Sequence, residues 1–239
     1  MKFFRSSGKS NGDGRGPAPF AVTPEWAARQ REAMVEEQLR RRGIRDTRVL
    51  EAMGAVPRHE FVPPESAADA YADRPLPIGR EQTISQPYIV AVMTEALELA
   101  GTERVLEVGA GSGYQAAVLA RLAQLVYTIE SDPELFRSAK ERLERLGWSD
   151  RVVVIEGDGS LGYPEAAPYD AIVVAAAAPS VPDCLFEQLA EGGRLAIPVG
   201  SREDQELLQI RKVEGKAVSH RFGLCRFVPL KGSHGWKSE

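Results

Sequence analysis

The sequence is poor in cysteine and histidine, with two and three residues respectively, and it has no long hydrophobic run. Cys184 and Cys225 lie far apart in the chain and have no partner at the short spacings that zinc ligands or disulfide frameworks use. We therefore expect no metal site. The longest uninterrupted apolar run, residues 171–178, is far shorter than the roughly 20 residues that cross a bilayer, which predicts no transmembrane helix and no membrane partner.

The chain also lacks a secretory signal and an excess of positive charge. Phe3 and Phe4 are followed at once by Arg5 and a polar stretch, so the apolar centre of a signal peptide is missing and a cytoplasmic location is expected. Lysine and arginine total 30 against 34 aspartate and glutamate residues, which gives a net charge of −4. This balance gives no broad attraction for phosphates, so we expect no nucleic-acid partner.

What is present is typical of a globular protein of one or two domains, with 239 residues of which 43% are hydrophobic. Residues 1–22 are rich in glycine, serine and proline without periodicity, which predicts a flexible tail. Residues 23–99 are predicted to form an N-terminal helical part. Residues 100–239 are predicted to form a core of alternating strands and helices that ends in two strands.

Helix signals and a long irregular stretch characterise the N-terminal part. Thr23 is a plausible N-cap with proline after it, and the helix is predicted to run to Arg42 and to stop at Gly43. A second helix is predicted over residues 46–55, and Pro87 opens a third. Residues 57–86, between them, have little periodicity. Such a long irregular segment in a compact domain is usually functional, so a site is expected there first.

The remaining sequence predicts an α/β fold. Short β-branched runs at 104–109, 125–130, 151–158, 169–177 and 193–200 are mostly separated by candidate helices at 114–123, 133–146 and 183–190. Continuous apolar strands joined by helices indicate a doubly wound, mostly parallel sheet that is covered on both faces. Two later strands around a turn at Glu214 and Gly215 predict an antiparallel edge. The predicted fold class is therefore α/β with an N-terminal helical subdomain.

The strongest chemical signal is VLEVGAGSGY, where a strand runs into a glycine-rich turn. Gly109, Gly111 and Gly113 permit positive φ and let backbone N–H groups approach a ligand. The next strand ends at Glu130, where a carboxylate can accept the hydroxyl protons of a ribose. A third strand ends at Asp158 and Gly159. Ligands bind at this carboxyl edge in open α/β sheets, although the glycines alone are also compatible with a simple tight turn.

The spacing of the glycines favours one cofactor. A dinucleotide fingerprint GxGxxG needs glycine at position 114, where this chain has Tyr114. The pattern GxGxG with an acidic residue two places before it, here Glu107, is the version seen in S-adenosylmethionine enzymes. A carboxylate suits the cationic amino-acid end of that cofactor better than it suits a pyrophosphate. We therefore predict that Glu107 and the glycine loop, Ser112 included, bind S-adenosyl-L-methionine.

Over residues 34–236 the sequence resembles the protein-L-isoaspartate (D-aspartate) O-methyltransferase family. The resemblance is most specific in the segments PLPIG, TISQP, GAGSGY, GDGSLGY and FVPLKGSHGW. The pairing of PLPIG with TISQP is close to diagnostic, whereas the glycine motif alone names only a superfamily. One departure is the pair Arg80 and Glu81, which stands where bacterial members usually have glycine followed by another small residue.

The resemblance implies a fold of the S-adenosylmethionine-dependent methyltransferase type and an activity. A methyl group is moved from S-adenosylmethionine to the free carboxylate of L-isoaspartyl and D-aspartyl residues in damaged proteins and peptides, which initiates repair. In such enzymes the serine of TISQP, here Ser85, is the active-site residue, and the loop around Gln82 and Thr83 helps to enclose the cofactor. Residues 23–99 then carry the substrate and active-site loop, residues 100–239 bind the cofactor, and a monomer is expected.

Four alternatives remain open from the sequence. Ser85 precedes the helix that Pro87 opens, so its hydroxyl can also cap that helix. Asp158 lies between two glycines and can serve a turn, although we favour recognition of the adenine amino group by Asp158 and Gly159. For the function, the alternatives are a methyltransferase of the same fold that acts on another acceptor and a non-enzymatic module that binds the cofactor but has lost transfer.

Overall fold

The computed structural model describes residues 21–236, and the predicted tail at residues 1–22 therefore lies almost wholly outside the described residues. Helix α1, Pro24–Ala33, begins at the N-cap Thr23, whose hydroxyl accepts a hydrogen bond from the Trp26 N–H at 3.2 Å. The helical path continues to Gly43, which ends it with a φ of 104°. The predicted extent of this first helix is confirmed.

The middle of this helical path differs from the expectation of a plain α-helix. Met34–Leu39 is a π-helical segment, and Arg40–Arg42 is a 3₁₀ turn. Met34 and Leu39 are both fully buried. In an α-helix, positions five apart point about 140° away from each other, whereas the wider π turn brings them to one face. Burial of both side chains therefore favours the wider turn.

The irregular stretch before the third helix contains short elements that the sequence did not reveal. After helix α2, Thr47–Ala55, two 3₁₀ segments lead to a hairpin of strands β1, Leu76–Gly79, and β2, Gln82–Ile84. Helix α3, Pro87–Glu95, follows directly. The strands are too short to show alternation, which is why the stretch lacked a recognisable pattern.

The remaining chain forms the predicted sheet. Its elements in chain order are β3 Arg104–Val108, α4 Tyr114–Leu119, β4 Leu125–Glu130, α5 Pro133–Arg145, β5 Val152–Glu156, β6 Tyr169–Val174, α6 Asp183–Glu187, β7 Leu189–Gly200, β8 Gln205–Val213 and β9 Lys216–Cys225. The strand order is β5-β4-β3-β6-β7-β8-β9. Pairing is parallel from β5 to β7 and antiparallel from β7 to β9, so the predicted antiparallel edge is confirmed.

Both faces of the central strands of the sheet are covered by hydrophobic layers. Along β3, Val105 packs into the layer that contains α3 and α4, whereas Leu106 and Val108 pack into the layer that contains α6. The chain moves outward from β3 through β4 to β5 and then returns to the other side of β3 with β6. This reversal creates a crevice at the carboxyl ends of β3 and β6, where open α/β sheets bind ligands. Along the described part of the chain, no helix is both long and apolar enough to cross a membrane.

Candidate active site

A cavity opens at the carboxyl ends of β3, β4 and β6, and we call it the main cavity. It is lined by residues 82–85, 107–112, 129–132, 175–176 and 228–231, together with Val90, Tyr114, Gln115 and Gly159. Most of the site residues expected from the sequence lie in this wall, namely Gln82, Thr83, Ser85, Glu107, Gly109, Gly111, Ser112, Glu130 and Gly159. Gly113 and Asp158 lie next to wall residues but do not line the cavity.

The glycine loop has the conformation that its sequence predicts. Gly109, Gly111 and Gly113 have φ values of 94°, 52° and 85°. At Gly113 an added Cβ would lie 3.1 Å from the Leu143 Cδ1 atom, so helix α5 packs directly against the loop. Gly113 is therefore needed for the backbone conformation and for this close packing, and not for contact with the cavity.

Glu107 places a buried carboxylate in the floor of the main cavity. Its Oε2 atom accepts a hydrogen bond from the Thr128 hydroxyl at 2.5 Å, whereas its Oε1 atom has no partner among the described residues. Burial raises the pKa of Glu107 to about 8, and the nearby charge of Glu130 acts in the same direction. An unpartnered carboxylate oxygen at this depth is costly, and a cationic ligand group is what would satisfy it.

This burial predicts a pH-dependent stability. In the unfolded chain Glu107 ionises near its ordinary pKa of 4.5, whereas in the folded protein its pKa is about 8. The contribution of the neutral carboxyl to folding is therefore present below pH 4.5 and is lost as the pH rises to 8. In the absence of added ligand, Glu107→Gln should raise the thermal unfolding temperature by several degrees at pH 8 and change it little at pH 5. An equal shift at both pH values would contradict this assignment.

Glu130 joins the glycine loop to the loop that follows β4. Its Oε2 atom accepts a hydrogen bond from the Gly111 N–H at 2.8 Å, and its Oε1 atom accepts from the N–H groups of Ser131 and Asp132. These bonds use three of about four acceptor positions of a carboxylate, so a ribose hydroxyl would have to share these oxygens. The expected role of Glu130 toward a ribose stays a prediction.

Asp158 is bonded to a remote part of the chain. Its Oδ1 atom accepts from the Ser160 N–H and hydroxyl, and its Oδ2 atom accepts from the Ser233 N–H at 2.8 Å and hydroxyl at 2.9 Å. Although burial opposes it, these bonds lower the pKa of Asp158. Its side chain thus serves a turn and a long-range contact, and recognition of an adenine amino group stays a prediction.

The segment after β9 is fastened over the site by further contacts. The Trp236 indole N–H donates to the Ala177 carbonyl at 2.9 Å, and the His234 N–H donates to the Ser160 hydroxyl at 3.0 Å. Gly232 has a φ of 116°, and a Cβ there would lie 1.9 Å from the Asp158 Oδ1 atom. We call residues 232–236 the C-terminal latch. It holds residues 228–231 in the cavity wall.

The hairpin of β1 and β2 covers the glycine loop, since a Cβ at Gly111 would lie 3.5 Å from Ile78. At its turn Arg80 and Glu81 have φ values of 55° and 58°, a conformation that side chains rarely adopt. The Arg80 Nε atom donates to the Asp132 Oδ2 atom at 2.9 Å, and Asp132 lines the main cavity. This ion pair ties the turn to the opposite rim and compensates in part for the unfavourable backbone.

Ser85 lies between two cavities. Beside the main cavity is a second one, the side groove, which is lined by residues 85–86, 88–89 and 224–228 together with Arg42, Pro75, Thr83 and Ala175. Ser85 and Thr83 line both. Gln86, not Ser85, is the N-cap residue of α3, and within residues 21–236 the Ser85 hydroxyl has no hydrogen-bond partner. The hydroxyl therefore does not cap the helix.

Some lining residues were not expected from the sequence. Ala175 and Ala176 follow β6, and Lys231 precedes the C-terminal latch. The segment 228–230 runs beside the end of β6, with the Leu230 N–H donating to the Ala177 carbonyl at 2.8 Å. An alanine side chain has no functional group that would mark it as a site residue. Which strand end the C-terminal segment packs against is decided by tertiary structure, so the sequence around β6 did not predict this contact.

Comparisons with known proteins agree on one family. The family model described as Protein-L-isoaspartate(D-aspartate) O-methyltransferase (PCMT) matches residues 29–235. A protein-L-isoaspartate O-methyltransferase of Methanoculleus marisnigri is 56% identical over 211 residues, which cover 88% of this chain and 96% of the relative. One from Geobacter metallireducens is 55% identical over 210 residues, which cover 87% and 97%.

Solved structures give the same result. A structure of a protein-L-isoaspartate O-methyltransferase superposes with a TM-score of 0.77 and 33% identity, covering 86% of this chain and 67% of that chain. A beta-aspartate methyltransferase (PCMT) from Plasmodium falciparum, in complex with S-adenosyl-L-homocysteine, superposes with a TM-score of 0.73 and 28% identity. That match covers 84% of this chain and 98% of the Plasmodium protein.

Proposed function

The chain belongs to the protein-L-isoaspartate(D-aspartate) O-methyltransferase family, and from this we propose the reaction that it catalyses. It transfers a methyl group from S-adenosyl-L-methionine to the free carboxylate of L-isoaspartyl and D-aspartyl residues in damaged proteins and peptides. The resulting ester cyclises to a succinimide without the enzyme and reopens partly to normal aspartate. The reaction thus initiates repair.

The residues of the main cavity fit the cofactor. The unpartnered Oε1 atom of Glu107 suits the ammonium of an amino-acid end, and the positive-φ glycine loop lets the backbone approach it closely. Gln82, Thr83, Ser112, Glu130 and Gly159 would complete the binding wall, with Gly113 and Asp158 supporting it from behind. The cofactor supplies the transferable methyl group on a sulfonium cation.

The single observation that carries the proposal is the shared wall at Ser85 and Thr83. The main cavity lies on one side of this wall for the methyl donor, and the side groove lies on the other for a peptide. An isoaspartyl carboxyl has a pKa near that of aspartate, about 4, and is already ionised at neutral pH, so no general base is required. The Ser85 hydroxyl would donate a hydrogen bond to one carboxylate oxygen and leave the other free to attack.

Alignment and exclusion of water are the remaining contributions of the protein. The hairpin of β1 and β2, tied down by Arg80 and Asp132, encloses the donor side. Together these effects are worth up to several kcal/mol of the barrier. We further propose that residues 23–99 serve the acceptor and residues 100–239 the donor. We also propose that the protein is a cytoplasmic monomer that binds neither nucleic acid nor membranes.

A paired-peptide assay tests this function. The protein is incubated with methyl-labelled S-adenosylmethionine and two peptides of identical sequence, one with an isoaspartyl and one with an aspartyl residue. We expect label only on the isoaspartyl peptide, and release of that label as methanol in mild base. Equal labelling of both peptides, or of neither, would overturn the proposed substrate. Labelling of a different acceptor class would favour another methyltransferase activity of the same fold.

A further inference from the structure

Arg58 is a fully buried charged residue that lines neither of the two cavities. It lies in the 3₁₀ segment Arg58–Phe61 with no exposed surface. Its Nε atom donates to the Ala70 carbonyl at 2.7 Å, and its Nη2 atom donates to the Ser85 carbonyl at 2.8 Å. Its Nη1 atom has no partner among the described residues, and none of their carboxylates lies within salt-bridge distance of the guanidinium.

Such an arrangement is expensive for stability alone. A buried charge is ordinarily paired with an opposite charge, and an apolar side chain of similar length would fill the same space at lower cost. Burial lowers the pKa of Arg58 to about 10, so the guanidinium keeps its proton at neutral pH. The free-energy cost of burying this charge is therefore present throughout the physiological pH range. We infer that Arg58 has a function that an apolar side chain could not perform.

One of the two hydrogen bonds of Arg58 goes to the backbone carbonyl of Ser85. The Ser85 hydroxyl has no hydrogen bond within the described chain, so its direction depends on the backbone that carries it. Asp73 fixes the next residues, since its carboxylate accepts from the Gln86 side chain at 2.8 Å and from the Tyr88 N–H at 3.4 Å. Arg58 fixes Ser85 itself through the carbonyl.

The guanidinium also reaches the donor side of the site. Its Cζ atom lies 4.8 Å from the centre of the Tyr114 ring, and Tyr114 follows Gly113 and lines the main cavity. A cation above an aromatic face is attracted to it, more so when both are buried. One side chain thus touches the loop that carries Ser85 and the first residue after the glycine loop.

We propose that Arg58 is a positioning residue that fixes the Ser85 peptide against the glycine loop and so directs the Ser85 hydroxyl toward the substrate carboxylate. This inference rests on the proposed function. A purely structural role would lower stability and leave turnover by the folded molecules unchanged. A positioning role lowers kcat while the affinity for the cofactor product is retained, and it acts only when the Ser85 hydroxyl is present.

The test is a double-mutant cycle between Arg58 and Ser85. Arg58→Met removes the charge and the donors at similar length, and Arg58→Lys keeps the charge and one donor if the methionine variant does not fold. With the isoaspartyl peptide we expect kcat to fall about tenfold in Arg58→Met and less in Arg58→Lys, with the Kd for S-adenosylhomocysteine within twofold of wild type. In the Ser85→Ala background the same substitutions should cause no further loss. Equal losses in both backgrounds would overturn the proposal.

Two measurements distinguish a positioning role from a general loss of stability, and they test it independently of the proposed function. Leu39 is fully buried in the π-helical segment Met34–Leu39. Leu39→Ala should therefore lower the unfolding temperature without lowering kcat. Amide hydrogen exchange is compared across residues 82–88 without any peptide substrate, and it should be faster in both Arg58 variants than in wild type. Unchanged exchange would overturn the positioning role whether or not the wild-type protein methylates isoaspartate.

Discussion

Replacing Ser85 by alanine should lower turnover of an isoaspartyl peptide about 100-fold while cofactor affinity stays within twofold, because misalignment of a bound nucleophile costs this much. Ser85 lines both cavities, and its hydroxyl is not used as a helix cap. Its loss would leave the substrate carboxylate free to rotate between productive and unproductive positions. The measurements are kcat and KM with the peptide and the Kd for S-adenosylhomocysteine by calorimetry.

Two controls accompany the alanine variant. Ser85→Thr keeps the hydroxyl and should recover part of the lost turnover. Ser219→Ala removes a hydroxyl from an exposed position on β9 and should leave all constants unchanged. Unchanged turnover in Ser85→Ala would show that the hydroxyl does not hold the substrate, and a matching loss of cofactor affinity would assign it to the donor side instead.

The second large effect is expected at Glu107. Glu107→Gln should weaken binding of S-adenosylmethionine and S-adenosylhomocysteine about 100-fold each, since a charge-assisted hydrogen bond to a buried carboxylate is worth about 2 to 3 kcal/mol. Both ligands carry the same ammonium, so the loss should be equal. A loss confined to S-adenosylmethionine would instead place the carboxylate against the sulfonium. Kd values for the two ligands, measured by calorimetry, distinguish these results.

The pH dependence of binding gives an independent test. Binding of a cation requires ionised Glu107, whose pKa without ligand is about 8. Between pH 5.5 and 7.5 wild-type affinity should therefore rise by up to about tenfold per pH unit, with release of about one proton on binding. The glutamine variant should show neither effect. Calorimetry in buffers of different ionisation enthalpy counts the protons, and a proton count of zero in wild type would contradict the assignment.

Local signals account for much of what could be predicted. Thr23 and Asp46 each accept an N-cap hydrogen bond, and Gly43 ends a helix in the left-handed conformation, as their residue types indicate. The glycine loop follows from the same logic, because the conformation that glycine permits is a property of the residue and its neighbours. The uninterrupted apolar runs predicted the parallel strands, because a strand that is buried on both faces has hydrophobic residues at nearly every position.

Long-range contacts account for what could not be predicted. Neither Arg80 nor Glu81, the two central residues of the hairpin turn, is glycine, and their backbone is supported by Asp132, which is remote in sequence. Asp158 accepts hydrogen bonds from Ser233 across a still larger sequence separation, so no local pattern indicated that its oxygens would be engaged. The Oε1 atom of Glu107 is unpartnered because the folded protein buries it away from water and from the other donors of the described chain. Sequence identified Glu107 and Asp158 as site residues but did not indicate which of their oxygens folding leaves paired or unpaired.

The C-terminal latch has a practical consequence for handling the protein. Ser233, His234 and Trp236 hold the end of the described chain by hydrogen bonds to Asp158, Ser160 and Ala177. A bulky fusion partner joined directly behind Trp236 would strain these attachments, whereas an affinity tag on the opposite terminus would leave them intact. Expression vectors for this enzyme are therefore best built with the purification handle upstream.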